Sequence, residues 1–365
     1  MTKLRVGVIG AGTISQVEHI PNIVALGDLF DLAGVADPSA TARQFVTETW
    51  GVFCYEAPDQ LFDQKLDAVV IAAPDPLHHE LVMAALARGL HVFCEKPLCY
   101  SPEEIAEIFA ARDAAGCVVQ VGYMKRFDPA YREALAALPG TAQTLRQVSV
   151  EVHDPDAWPF IAHSRTKFGN DVSEALKQDA GRKKQAQIER AFGRPLPKLA
   201  SGGFSSVYSS ALVHDVNAVH GLLDAIGVPD GEVVGGQIFA GGDGGQGTVR
   251  LLGGQALWTM THLTVPKLAE YRERITLYFD DAMLELEFPS PYLNHHPTRL
   301  TVKKSDGHTL SSNHIRPGYK EAFVEELRGF WSAIVDGEPV VNRPEHAARD
   351  QKLLIALTNR YLETV

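Results

Sequence analysis

Residues 6–15 read VGVIGAGTIS. An apolar, β-branched run stops at a glycine, and an amphipathic stretch from Ile14 to Leu26 follows. The pattern is Gly10-x-Gly12-x-x-Ser15, placed after a strand and at the opening of a helix, the setting that gives such a pattern weight. Gly10 permits the tight turn, and Gly12 lets a pyrophosphate approach the backbone. Thr13 and Ile14 line the same loop, and the helix N-terminus offers N–H donors and a positive dipole end to the anion. Ser15 stands where a third glycine is usual and is small enough for close helix–strand packing. Asp37 ends the next strand-like run, 25 residues after Gly12. A carboxylate there accepts hydrogen bonds from ribose hydroxyls and repels a 2′-phosphate. NAD is therefore expected rather than NADP, with Arg43 the nearby cation that could serve a phosphate instead.

The strand–helix alternation repeats through DLAGVAD, LDAVVIAAP, LHVFCEKP and CVVQVGY, each separated from the next by a helical period. Short continuous apolar runs of this kind are strands of a parallel sheet buried on both faces. Residues 1–123 are thus expected to form a doubly wound α/β Rossmann domain. Residues 124–365 read as an α+β domain with a large, mostly antiparallel open sheet. Its first strand is 145–153, an apolar helix covers 206–224, and RITLYFDDAMLELEF forms a hairpin about Asp280 and Asp281. The polar, lysine-rich stretch 164–195 reads as an inserted helical segment broken by Gly169, Gly181 and Gly193. The glycine-rich run 241–247 reads as a flexible hairpin connection. Helices over about 318–336 and 344–363 close the chain, the last placed to pack back on the first domain.

With 365 residues, two domains are the prior. The formal charge of −11 argues against a general nucleic-acid binder. Four cysteines without paired short spacing make neither a disulfide framework nor a zinc ribbon. The chain enters a strand at once, without the apolar core of a signal peptide or a run near the ~20 residues of a membrane span. A cytoplasmic, reduced setting with no membrane partner is the expectation. No metal is expected either, since His295 and His296 stand in a loop without a carboxylate cluster.

Residues 72–98, AAPDPLHHELVMAALARGLHVFCEKPL, resemble the Gfo/Idh/MocA oxidoreductases, the glucose–fructose oxidoreductase and inositol dehydrogenase group. Pro74, His78, Gly89, His91, Val92, Glu95, Lys96 and Pro97 fall on that family's pattern. The resemblance implies a cofactor site that includes Ala73, Pro74, His78, Glu95 and Lys96. It also implies that Lys96 is catalytic, hydrogen-bonding the reacting hydroxyl or stabilising its alkoxide. His78 and His91 can equally be packed structural residues. VGYMKRFDP (121–129) matches the family's crossover into the second domain, so Tyr123, Lys125 and Arg126 are candidates for polyol hydroxyls, and Arg126 equally for bracing.

YSSALVHDVNAVHGLL (208–223) resembles the family helix carrying Asp-x-x-x-His-x-x-Asp toward substrate. His214 holds the histidine position, suited to acid–base work near neutral pH. Ser210 and Asn217 replace the two aspartates, and helical spacing puts 210, 214 and 217 on one face. Asp215 points aside, and His153 and Asp154 are candidates for a missing carboxylate or for a plain strand-end turn. The implied activity is NAD-dependent transfer of hydride between nicotinamide and a secondary alcohol of a sugar, glycoside or inositol. The alternatives are transient oxidation within an elimination or epimerisation, and a non-catalytic sugar- or NAD-sensing regulator. A homodimer or homotetramer through the second-domain sheet is the implied assembly.

Overall fold

The computed structural model describes residues 2–155, 157–162, 164–167 and 169–365. The chain divides into two compact units, one of Met1–Gly122, Ile161–Pro195 and Phe323–Arg349, the other of Tyr123–Phe160, Leu196–Ala322 and Asp350–Val365.

The first unit is built on six parallel strands: β1 (Leu4–Ile9), β2 (Phe30–Ala36), β3 (Cys54–Tyr55), β4 (Ala68–Ile71), β5 (His91–Glu95) and β6 (Val119–Gly122). Their order is β3-β2-β1-β4-β5-β6. This is the doubly wound arrangement expected, with its switch point between β1 and β4, where open α/β sheets form a ligand crevice. Val6, Val8, Val35, Val70 and Phe93 fill the middle of one core, with Ile20 and Ile23 beside them.

Two stretches that the sequence assigns to the second domain belong here. The helix Ala322–Val335 repeats apolar residues at helical spacing, and Leu327, Phe330 and Trp331 bury themselves in the core that holds Val6 and Phe93. Segment 161–195 joins the unit through its charges. Lys183 pairs with Glu80 at 2.7 Å, Arg190 with Glu107 at 2.5 Å and Lys184 with Asp75 at 3.8 Å. Gly181 does not break this segment, because one helix runs from Glu174 to Phe192. The Ser173 hydroxyl accepts from the Leu176 N–H at its start, and Gly193, at φ +65°, closes it.

The second unit carries β7 (Leu145–Asp154), β8 (Glu232–Ile238), β9 (Gly244–Leu251), β10 (Ala256–Thr264), β11 (Arg272–Phe279), β12 (Ala282–Phe288), β13 (Arg299–Ser305) and β14 (Leu310–Ile315). Their order is β14-β13-β12-β11-β7-β10-β9-β8, and only β7 and β10 pair in parallel. The expected hairpin is β11–β12. The glycine run 241–247 is not merely a connection: its second half is β9, where a Cβ on Gly247 would lie 2.6 Å from Leu357. The expected helix over 206–224 is a π-helix, Gly203–Leu212, continuing into an α-helix, Val213–Ala225. One sheet face buries Val148, Val150 and Val152. The other is polar, with Arg272 on Glu151, Arg274 on Glu285 and Arg299 on Glu287.

Because the helix Glu174–Phe192 is unbroken and a Cβ on Gly181 meets nothing within 4 Å, Gly181→Ala should stabilise the protein. The expected gain is about 0.5–1 kcal/mol in urea unfolding. A loss of stability would mean that the helix needs the glycine.

Candidate functional site

The β1 turn has the geometry its glycines suggest. Gly10 takes φ +98°, and a Cβ there would lie 2.4 Å from the Ala72 carbonyl oxygen, so β1 and β4 come too close for any side chain. At Gly12 a Cβ would meet nothing within 4 Å, which leaves open space before the backbone where a diphosphate would lie. Thr13 and Ile14, half-buried, already take helical conformation. Asp37 accepts the Ala11 N–H at 2.7 Å and the Ser39 N–H at 2.8 Å. An ionised carboxylate has about four acceptor positions, so two remain for ribose hydroxyls. Turn, open space and acceptor together fit a dinucleotide. Arg43 donates to the Asp37 carbonyl at 2.7 Å.

At the end of β5 the chain reaches Glu95, Lys96 and Pro97, with a cis Lys96–Pro97 peptide. Glu95 is buried, and its carboxylate accepts from His19 Nε2 at 2.7 Å and from the Lys96 N–H at 3.2 Å. Burial alone would raise its pKa, but the bond from His19, the charges of His19 and Lys96 and the Lys96 N–H hold it below the usual carboxylate value. The carboxylate beneath Lys96 is thus ionised and fixes the backbone from which the lysine projects. Lys96 itself is half-buried.

His78 is buried with Nδ1 2.8 Å from the Pro97 carbonyl and Nε2 2.8 Å from the Ala73 carbonyl. Both ring nitrogens thus lie within hydrogen-bonding distance of a backbone carbonyl. The ring staples the Ala73–Pro74 loop to the Glu-Lys-Pro turn. His91 is a packed residue: its Nδ1 accepts the Val118 N–H at 2.9 Å, and burial lowers its pKa.

In the second unit, several residues expected at a substrate are committed to internal partners. Lys125 is buried between Asp215, at 3.3 Å, and Glu273, and lies over the Phe288 ring. Arg126 donates through Nε and Nη2 to the Asn217 carbonyl, at 3.0 and 2.6 Å, which is a bracing role. Asn217 is fully buried, and its amide donates to Asp350 at 2.8 Å, while Asp350 also takes His220 at 2.6 Å. These placements correct the expectation that Lys125, Arg126 and Asn217 face a polyol: each side chain is spent inside the fold. Asp215, expected to point aside, holds Lys125. Burial, then the neighbouring Glu273 carboxylate, push its pKa up to about 8.

His214 remains half-buried, with the Tyr123 ring edge-on at 6.3 Å, and Ser210 is half-buried one turn before it, in the π-helical part. The even α-helical stripe expected across 210, 214 and 217 therefore does not form. His153 lies on the polar sheet face, 3.6 Å from Glu151, and the Asp154 carbonyl accepts the Val265 N–H. Sequence reading missed His19, His220, Glu273 and Asp350. His19 stands 76 residues from its partner Glu95, on a helix start that also carries Ser15, Gln16 and Glu18. The other three likewise stand far along the chain from their partners. Among the described residues, no three His, Cys, Asp or Glu side chains converge as metal ligands.

A glycine turn, an acidic strand end and an open diphosphate position on a β3-β2-β1-β4-β5-β6 sheet define a Rossmann-type dinucleotide-binding protein. Residues 4–123 match the family model described as "Oxidoreductase family, NAD-binding Rossmann fold". Over that region the chain is similar to the Gfo/Idh/MocA oxidoreductases. It is 38% identical over 134 residues to inositol 2-dehydrogenase 3 of Saccharopolyspora erythraea, covering 36% of this chain and 39% of that protein. It is 34% identical over 137 residues to the scyllo-inositol 2-dehydrogenase (NAD(+)) of Bacillus subtilis, covering 36% and 39%. The matched region spans half or less of the length of these relatives. Among solved structures, a probable dehydrogenase from Thermotoga maritima aligns over 99% of this chain and 98% of its own, with TM-score 0.70 and 20% identity. A 3-ketoreductase from Actinomadura kijaniata, in complex with NADP and TDP-benzene, aligns over 97% of both chains with TM-score 0.73 and 19% identity. At such identities the likeness shows the fold.

Two pH dependences follow. The folded-state pKa of Asp215 lies above its ordinary value of 3.8, at about 8, so its contribution is present at low pH and lost as pH rises through that window. Asp215→Asn should remove this loss, and its melting temperature should gain on the wild type between pH 5 and pH 8; a constant difference would refute the assignment. For His91 the sign reverses: its folded pKa lies below 6.5, so stability present above that value is lost on acidification. His91→Gln should lose less stability than the wild type between pH 7 and pH 5, measured by urea unfolding.

Proposed function

We propose that the protein is an NAD-dependent oxidoreductase acting on a secondary alcohol of a sugar, glycoside or inositol-type polyol. The observation that carries this reading is the placing, on one sheet, of the Gly10 turn, the Asp37 acceptor and a lysine whose backbone is fixed by a buried, ionised Glu95. The inositol dehydrogenases it resembles support the substrate class. Nicotinamide, when bound, accepts or supplies the hydride. Gly10, Gly12, Thr13 and Ile14 cradle the diphosphate, and Asp37 takes the ribose hydroxyls. The Ala73–Pro74 loop, held by His78, shapes the sheet edge beside them.

Lys96 then donates to the substrate oxygen and stabilises negative charge developing there, an electrostatic contribution of the kind oxyanion donors make. His214 is the acid–base group: its ring is partly accessible and lies against Tyr123, and an imidazole titrates in the range where a hydroxyl proton is exchanged. Ser210, half-buried on the same helical stretch, is the remaining hydroxyl partner, while Tyr123 is buried. With Asn217 turned inward, no residue one turn after His214 replaces the family's second aspartate. That feature favours a second reading, a sugar-sensing regulator that binds NAD without turnover.

Lys96→Ala should bind NAD within about threefold of wild type by calorimetry while kcat on the best of a polyol panel, read at the NADH band, falls about a hundredfold or more. Undiminished turnover would remove Lys96 from the chemistry. Tight NAD binding with no absorbance change on any polyol, in the wild type itself, would favour the regulator.

A further inference from the structure

The segment after Ile161 returns to the first unit and crosses the edge of the sheet at two points. At the first, Gln16 holds it in both directions: the amide donates to the Lys167 carbonyl at 2.8 Å and to the Ala11 carbonyl at 2.6 Å, while its oxygen accepts the Lys167 N–H at 2.9 Å. At the second, Asp171 reaches the start of the helix that follows β2, Ala40–Trp50. Its carboxylate accepts from the Ser39 hydroxyl at 2.5 Å and from the Thr41 N–H at 3.0 Å. Gly169 passes so near that a Cβ there would lie 2.1 Å from Ser39 Oγ.

In a Rossmann fold this corner is where the adenosine ribose ends. A 2′-phosphate is received there by hydroxyls, backbone N–H groups and an arginine just after the acidic strand end. This chain has that donor set in Ser39, Thr41 and Arg43: the Ser39 hydroxyl and the Thr41 N–H are taken, and one Arg43 N–H is turned back on the strand end. Ser39 and Thr41 serve Asp171, and Arg43 serves the Asp37 carbonyl. We propose that Asp171 is the cofactor-specificity residue of this protein: its carboxylate occupies the corner that a 2′-phosphate would need and, with Asp37, excludes NADP.

The inference rests on the dinucleotide reading and deepens it. The bonds from Ser39 and Thr41 hold the Asp171 carboxyl down to about 2, so it is anionic at any working pH. A phosphate approaching the corner meets negative charge from two directions and finds the Ser39 and Thr41 donors taken. NAD presents only a hydroxyl there, for which Asp37 retains acceptor positions. Asp171 comes from a segment 132 residues away from Ser39, so the usual reading from the residue at the end of β2 is incomplete for this chain.

The test is binding, read by calorimetry with NAD, NADP, adenosine 5′-monophosphate and adenosine 2′,5′-bisphosphate on wild type, Asp171→Ala and Asp171→Asn. Asp171 is exposed, so neither variant threatens folding. Wild type should prefer NAD, and the monophosphate over the bisphosphate. Asp171→Ala should tighten NADP and the bisphosphate about tenfold or more, with NAD within about threefold. Asp171→Asn, which removes the charge but still fills the corner, should lie between the two. Unchanged NADP and bisphosphate affinities in Asp171→Ala, with NAD binding intact, would overturn the inference and leave the dinucleotide reading standing. A wild type that prefers NADP would overturn the inference alone, and one that binds neither dinucleotide would overturn both.

Discussion

A strand buried on both faces can end on a lysine only if something beneath it fixes the backbone and compensates the charge. In this chain Glu95 does both. Its carboxylate is ionised although buried, because His19 and the Lys96 N–H hydrogen-bond to it, and the direction of its pKa follows from those bonds outweighing desolvation. His78 secures the same turn from the other side through the Pro97 carbonyl. The position of Lys96 is therefore decided by two histidines that need not touch a substrate. One lies on the helix after β1, the other on the helix after β4.

The second unit shows the opposite economy. Lys125, Arg126 and Asn217 look like a ligand-facing polar set, yet they form a buried network with Asp215, Glu273, Asp350 and His220. Buried charges persist only when paired, and removing one partner leaves the other stranded at a cost of several kcal/mol. Such a network specifies how the helix Val213–Ala225 sits on its sheet. His214 and Ser210, on the same stretch, are half-buried.

The parts legible in the sequence are those that local physics decides. The Gly10 turn needs a positive φ, the strand runs need apolar continuity, and Asp37 follows from its distance along a strand–helix–strand unit. The hairpin of β11 and β12 is a neighbour pairing. What could not be read depends on where the chain returns. Lys125 meets Glu273 across 148 residues, and Asn217 meets Asp350 across 133. Gly181 looked like a break because propensity is a weak prior, and the capped ends and ion pairs of the helix Glu174–Phe192 outweigh it. The π-helical turn before His214 has no compositional signature, so the expected face of 210, 214 and 217 was drawn on the wrong pitch.

The helix Glu174–Phe192 joins the first unit mainly through ion pairs whose members are partly exposed, with Lys183, Glu80, Arg190 and Glu107 each a third to a half accessible. Contacts of that kind are individually weak and are screened by dissolved electrolyte, whose Debye length shrinks to about 10 Å at 0.1 M and 3 Å at 1 M. The same segment carries Gly169 and Asp171 onto Ser39. Ionic strength thus bears on the segment that reaches Ser39: concentrated salt weakens these ion pairs without touching the apolar core behind them.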